Sequence, residues 1–202
     1  MSSDVFDFIV IGSGSAGGVI AARLSENGRY RVLCLEAGKK DENHFWTKIP
    51  AGSAFLYDDA NVNWCYWSEP NDAYAQRKLF VPRGRILGGS SAINGMVYVR
   101  GQRQDYDHWA QLGCTGWSYQ DVLPLFKKME SYPGGADAYR GRSGPIQVTE
   151  ASKVTPFFEL LMQSAENIGI ARNPDYNGPD QEGVAMTQAS IHKGRRQSTA
   201  NC

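Results

Sequence analysis

Six residues near the start of the chain, Gly12-Ser13-Gly14-Ser15-Ala16-Gly17, have the types and spacing of a phosphate cradle. Each glycine has its own task in such a loop. Gly12 permits a tight turn out of a strand, Gly14 lets the backbone approach a pyrophosphate, and Gly17 lets the following helix pack closely on its sheet. The start of that helix offers unpaired N–H groups and the positive end of its dipole to phosphate. Glu36 stands 24 positions past Gly12, where an acid accepts hydrogen bonds from a ribose diol. A carboxylate there repels a 2′-phosphate, which disfavours NADP. The chemistry implied is capture of a dinucleotide.

A second cluster, Gly88-Gly89-Ser90-Ser91, lies within Pro82–Tyr98. Such a loop can aim N–H groups and hydroxyls at an anion, or at the polar edge of a ring. Arg85 can add a charge-assisted contact to phosphate. The residues alone leave an ordinary Gly/Ser turn equally open. No metal or catalytic constellation accompanies these loops. His44, His108 and His192 are solitary and read as surface or locally bonded residues, so no metal site is expected. Cys34, Cys65, Cys114 and Cys202 lie far apart with no C-x-x-C pair. That argues against a disulfide framework and for a reducing compartment. Cys34 falls inside a candidate strand and reads as a small buried hydrophobe.

The elements that must position these loops are legible from periodicity. Asp7–Ile11 reads as a buried parallel strand, too short and too β-branched for a helix. Val19, Ile20, Ala22 and Leu24 give a helical stripe, and Arg31–Glu36 reads as a second strand. Residues 40–80 show little periodicity. Turn signals at Asp58–Asn61 and Glu69–Asp72 flank dense aromatics, Tyr57, Trp64, Tyr66 and Trp67. The reading is a long loop pinned by rings, or an extended covering arm. Ser118 with Asp121 resembles a variant capping box ahead of Val122, Leu125, Phe126 and Met129, with Pro124 starting or kinking the helix. Gly141–Pro145 turns into a strand at Ile146–Thr149. Thr155-Pro156 then opens a helix with Phe157, Leu161, Ala165 and Ile168 on its core face, ending at Gly169.

The 202 residues carry a formal net charge of zero. No basic surplus points to a nucleic-acid partner. No apolar run is long enough to span a bilayer. Residues 1–6 lack the regions of a signal peptide. The cytoplasm is the expected location, with peripheral attachment to a membrane left open. The sequence stops three residues past a candidate N-cap, Ser198 or Thr199, so a truncated chain is expected.

From Gly84 to Asp107 the sequence resembles the signature of the glucose–methanol–choline (GMC) oxidoreductase family. The matching positions are Gly84-Arg85-x-Leu87-Gly88-Gly89-Ser90-Ser91-x-Ile93-Asn94, then Tyr98, Gly101 and Asp107. The N-terminal strand–loop–helix, Leu35-Glu36-Ala37-Gly38, Asn63-Trp64 with Glu69-Pro70, and Gly116-Trp117-Ser118-Tyr119 match in order. So do Leu123-Pro124, Phe126-Lys127-Lys128, Gly144-Pro145-Ile146 and Gly194-Arg195-x-x-Ser198-Thr199-Ala200. The choline dehydrogenase-like alcohol dehydrogenases are the subgroup it resembles.

The resemblance implies an α/β fold: a Rossmann-like FAD-binding domain of GMC type followed by the start of a substrate-binding domain, truncated. Residues 1–145 would form the FAD-binding part, including the arm at 40–80 and the signature at 84–107. Residues 146–202 would begin the substrate domain and return to the FAD domain. It implies oxidation of a small-molecule alcohol by hydride transfer to FAD, with the electron acceptor open. By similarity, Gly12, Ser13, Gly14, Ser15, Ala16 and Gly17 cradle the pyrophosphate, Glu36 takes the adenosine ribose, and Ala37 also belongs to the cofactor-binding set. Arg85, Leu87, Gly88, Gly89 and Ser90 line the cofactor, and Asn94, Gly95, Met96 and Val97 lie beside the flavin ring. Some members attach FAD through a histidine just before the signature asparagine. Ile93 stands there and cannot make that bond, so noncovalent FAD is expected.

The family's catalytic histidine and second signature match nothing here, and catalytic residues are expected beyond Cys202. His108, in an Asp-His-Trp context, does not fit a general base. Same-fold FAD lyases or photodecarboxylases are an alternative, as is a non-catalytic nucleotide-binding fragment. The Gly84–Asp107 signature argues against an NAD-linked Rossmann enzyme.

Overall fold

Phe8–Ile11 (β1) and Val32–Leu35 (β2) pair in parallel, Phe8 opposite Val32 and Ile11 opposite Leu35, with helix α1 (Gly17–Ser25) between them. The computed structural model describes residues 5–40, 44–150 and 154–201; Cys202 and residues 1–4 and 41–43 of the sequence reading lie outside these. The β1–α1–β2 unit is the strand–loop–helix–strand that the first glycine loop requires. Gly12 leaves β1 with φ +89°, and its N–H donates to the Leu35 carbonyl at 2.7 Å. A Cβ on Gly17 would sit 1.9 Å from the Gly12 carbonyl oxygen. Close approach of helix to strand therefore demands glycine there.

β1 is not the buried strand that its composition suggests. Val10 is buried, but Ile11 is 86% exposed, and α1 buries none of its residues. Among the described residues this sheet has two strands, and one helix cannot cover both faces. Cys34 is likewise exposed rather than buried.

The chain divides into two compact units, residues 1–96 with 193–202, and residues 97–192. In the first, residues 44–81 are more ordered than a loop. They hold two short helices, α2 (Phe45–Lys48) and α3 (Ser53–Leu56), and an antiparallel pair, β3 (Tyr66–Trp67) with β4 (Phe80–Val81). Leu56 and Val62 from this stretch close a small apolar core with Ile86, Ala92 and Ile93. Asn63 pins the arm: its amide nitrogen donates to the Tyr57 carbonyl, and its Oδ1 accepts from the N–H groups of Cys65 and Arg83. His44 is locally bonded, its Nε2 3.3 Å from Asp59 Oδ2.

The second unit contains α4 (Arg103–Gln111) and α5 (Tyr119–Met129), and then β5 (Glu130–Ser131) parallel to β6 (Ile146–Gln147). β7 (Thr149–Glu150) follows, with α6 (Pro156–Asn167) and β8 (Gln188–Ala189), which pairs antiparallel with β7. Ser118 and Asp121 close a reciprocal capping box at α5. Pro124 lies inside the helix, which continues past it. The strand read at Ile146–Thr149 is broken at Val148, whose N–H donates to Ser131 instead.

α6 starts as read, on a Thr155 cap with Pro156 first. Gly169 follows its end with φ +89°. The face read as core is not core here: Phe157, Leu161 and Ile168 are exposed, and Met162 is the buried residue of the helix. The centre of this unit is ionic. Arg140 spans Glu130 and Asp175, and Arg100 reaches Glu130 at 2.7 Å, all four being buried.

Candidate functional site

The two glycine loops, far apart in sequence, meet backbone to backbone. A Cβ on Gly89 would lie 2.7 Å from Gly14 Cα, and the Gly88 N–H donates to Ser13 Oγ at 3.3 Å. The segment after residue 197 closes the same point. Thr199 donates from its backbone to Ser91 Oγ at 3.1 Å, and its hydroxyl lies 3.4 Å from the Ser13 carbonyl. Ser198, read as a possible N-cap, opens a turn through Asn201, whose N–H donates to the Ser198 carbonyl.

Glu36 is drawn onto the first loop. Its Oε2 accepts from the N–H and hydroxyl of Ser13, at 2.9 and 2.8 Å, and its Oε1 accepts from the Gly38 N–H at 2.9 Å. Burial alone would raise the pKa of this carboxyl. Hydrogen bonds from Ser13, Gly38 and Ala37 outweigh it and hold the group below its ordinary value. Glu36 is therefore a fixed anion at neutral pH. Each of its oxygens keeps acceptor capacity for a further donor such as a ribose hydroxyl.

Beside these contacts runs an open groove of about 460 Å³. Gly12, Gly14, Ser15, Glu36, Ala37, Gly89 and Ser90 of the sequence-read set line it. The backbone N–H groups of Gly14, Ser15 and Ala16 have no internal partner among the described residues, as expected where a helix begins. They are free for an anion. The second loop is different. The N–H groups of Gly88, Gly89 and Ser91 are spent on Ser13, Ile86 and Gly88. Among the described residues the Ser90 N–H has no internal partner, and the rest of the loop forms a thin wall of backbone.

Other sequence-read residues stand apart from the groove lining. Ser13 is buried under the loop, and Ala16 and Gly17 enter α1. Leu87 donates from its backbone to Lys39. Arg85 is exposed with its guanidinium 5.2 Å from the Trp64 ring. Asn94 and Gly95 are exposed, while Met96 is buried with φ +62°. Val97 falls in the second unit, where it bridges to Ala189.

Six lining residues lie outside the sequence-read site set: Ile11, Leu35, Trp64, Tyr66, Arg83 and Gly84. The density of aromatics was a signal, and the rings of Trp64 and Tyr66 stack 8° from parallel. Arg196 also escaped notice. It is 1% exposed and donates to Asn94 and Ser53. Among the described residues no group of His, Cys, Asp or Glu side chains is arranged to hold a metal ion.

The family model described as GMC oxidoreductase matches residues 6–202. An oxygen-dependent choline dehydrogenase of Brucella suis biovar 1 (strain 1330) is 46% identical over 195 residues, which are 96% of this chain and 35% of that protein. One from Rhizobium etli (strain CIAT 652) is 45% identical with the same coverage. The chain thus spans about a third of the length of these relatives. Among solved structures, pyridoxine 4-oxidase from Mesorbium loti superposes with a TM-score of 0.90 at 32% identity, over 96% of this chain and 38% of that one. An FAD-dependent oxidoreductase from Chaetomium thermophilum gives 0.87 at 31% identity, over 96% and 35%.

Proposed function

The chain belongs to the GMC oxidoreductase family, and from that we propose that it is the N-terminal, FAD-binding part of an enzyme that oxidises the CH–OH group of a small alcohol. One observation carries the reading: two glycine loops in backbone contact, with a fixed carboxylate beside them and, among the described residues, unpartnered N–H groups at Gly14 and Ser15 in the lining of one groove. That donor set fits FAD. Gly14, Ser15 and Ala16 would hold the pyrophosphate, Glu36 the ribose, and Gly89 and Ser90 the opposite wall. Bound FAD would supply the acceptor for the two electrons that leave the alcohol. The relatives' name makes choline the first substrate to try. Residues 1–145 would serve the cofactor, and residues 146–202 would begin the substrate-binding part and return to the FAD domain.

Ile93 supports noncovalent attachment. It is 2% exposed and packed in the apolar core with Leu56 and Val62. Among the described residues no helix is long and apolar enough to cross a membrane, and a cytoplasmic location belongs to the same proposal. The test is acid precipitation of the protein purified at its natural length. A yellow supernatant is expected, and choline should bleach the bound flavin under anaerobic conditions. Colourless protein overturns the cofactor assignment; flavin held in the pellet overturns noncovalent binding.

A further inference from the structure

Among the described residues Arg196 is a buried cation with no anionic partner. It is 1% exposed. Its Nη1 donates to the Asn94 carbonyl at 2.5 Å, to Asn94 Oδ1 at 2.9 Å and to the Ser91 carbonyl at 3.3 Å. Its Nη2 donates to Ser53 Oγ at 2.7 Å. All four acceptors are neutral, and its Nε is buried without any hydrogen-bond partner. A buried charge normally has a counter-charge, because desolvation is costly. The buried arginines of the second unit follow that rule, with Glu130 and Asp175 beside them. Burial lowers the pKa of Arg196 to about 10, so it still carries its proton at neutral pH.

The bonds of Arg196 converge on one turn. Asn94 also accepts from Ser53 Oγ through its carbonyl, at 2.8 Å, and from the Met96 N–H through Oδ1, at 3.0 Å. Met96, just beyond, takes a left-handed backbone that a side chain of its kind rarely adopts. Strain of this sort persists where surrounding bonds over-determine it.

We propose that Arg196 is a positioning residue for the cofactor: it fixes the Ser91–Met96 turn and gives that turn an unneutralised positive charge that favours the reduced flavin. This rests on the reading that FAD occupies the groove and that Asn94–Met96 lie beside its ring. Uptake of two electrons and one proton leaves the ring with a net negative charge. A cation held nearby in a water-poor setting stabilises that form over the neutral oxidised one. At an effective dielectric of about 20, a nearby unit charge shifts such an equilibrium by roughly tenfold.

The experiment is a reductive titration of the purified, flavin-loaded protein at its natural length against a reference dye. Four proteins are compared: wild type, Arg196→Gln, Arg196→Lys and Ser53→Asp. Ser53→Asp keeps the guanidinium but sets a carboxylate against it, at the start of α3 where an acid is tolerated. Arg196→Gln and Ser53→Asp should each lower the two-electron midpoint by about tenfold in equilibrium constant, about 30 mV. Arg196→Lys should stay close to wild type. If Arg196→Gln does not fold, Ser53→Asp decides alone. Loss of packing without loss of charge would move neither Ser53→Asp nor the Lys rescue in this pattern. A change under threefold in Ser53→Asp, with flavin bound, overturns the proposal. Wild-type protein without flavin would refute the cofactor assignment instead.

Discussion

At the residue scale, one carboxylate ties the first glycine loop to the second strand. Glu36→Ala removes an acceptor for three donors of the chain as well as for a ribose. A hydrogen bond to a charged group is worth about 1.5–3 kcal/mol, so FAD should bind roughly tenfold more weakly or worse. Equilibrium titration of apoprotein with FAD checks this, and affinity within about twofold of wild type removes Glu36 from the role. The sign of its pH dependence follows from its lowered pKa. The contribution is complete above the ordinary value of 4.5 and fades as pH falls through the lower folded value. Flavin retention should therefore fall on acidification, and Glu36→Gln should remove part of that fall. The glycines separate by a different criterion. A Cβ at Gly14 meets nothing nearer than Gly89 Cα at 3.8 Å, whereas one at Gly17 lies 1.9 Å from a carbonyl oxygen. Gly14→Ala should leave stability within about 1 kcal/mol yet cost flavin affinity, because the added methyl crowds the phosphates. Gly17→Ala should cost the fold, seen as lost circular dichroism or insoluble protein.

At the element scale, α5 is held at its start by a reciprocal pair. Ser118→Ala breaks the bonds between its hydroxyl and Asp121, a loss of about 0.5–2 kcal/mol. Hydrogen exchange of the Tyr119–Val122 amides should accelerate accordingly, and unchanged protection would show that the cap is idle. Such caps were legible because they are local: serine and its acid partner stand three residues apart, and Thr155-Pro156 is contiguous. The β1–α1–β2 unit was legible for the same reason, down to the acid at its end. Apolar stripes misled. Periodicity marks a face that is suited to cover, and Phe157, Leu161 and Ile168 remain exposed in these residues. The exposed Cys34 and Ile11 belong to the same error. Arg196 was illegible because its partners are carbonyls and a hydroxyl more than 100 residues away, and no spacing rule announces a cation that lacks an acid. The contact between the glycine loops was equally hidden, since residue types show that each loop is thin but not that the two meet.

At the scale of the whole molecule, the chain matches about a third of each curated relative and offers a groove without an assigned general base. Residues 1–202 alone should therefore bleach no bound flavin with choline, while a full-length relative such as the Brucella suis protein does so under the same anaerobic conditions. The same residues should bind an apolar dye strongly, since Ile11 and Ile168 are 86% and 77% exposed. Comparable bleaching rates would locate the catalytic machinery within these residues. The division of the chain bears on its biosynthesis as well. The first unit leaves off at Met96 and resumes at Lys193, and Thr199 reaches back across 186 positions to Ser13. A ribosome adding about 5–20 residues per second delivers Thr199 roughly 10–40 s after Ser13. Throughout that interval the nascent cradle lacks its last strut and must wait while all of residues 97–192 emerge. If FAD occupies the groove as proposed, a nascent chain with residues up to 192 clear of the ribosome should retain it less well than one with residues up to 201 clear.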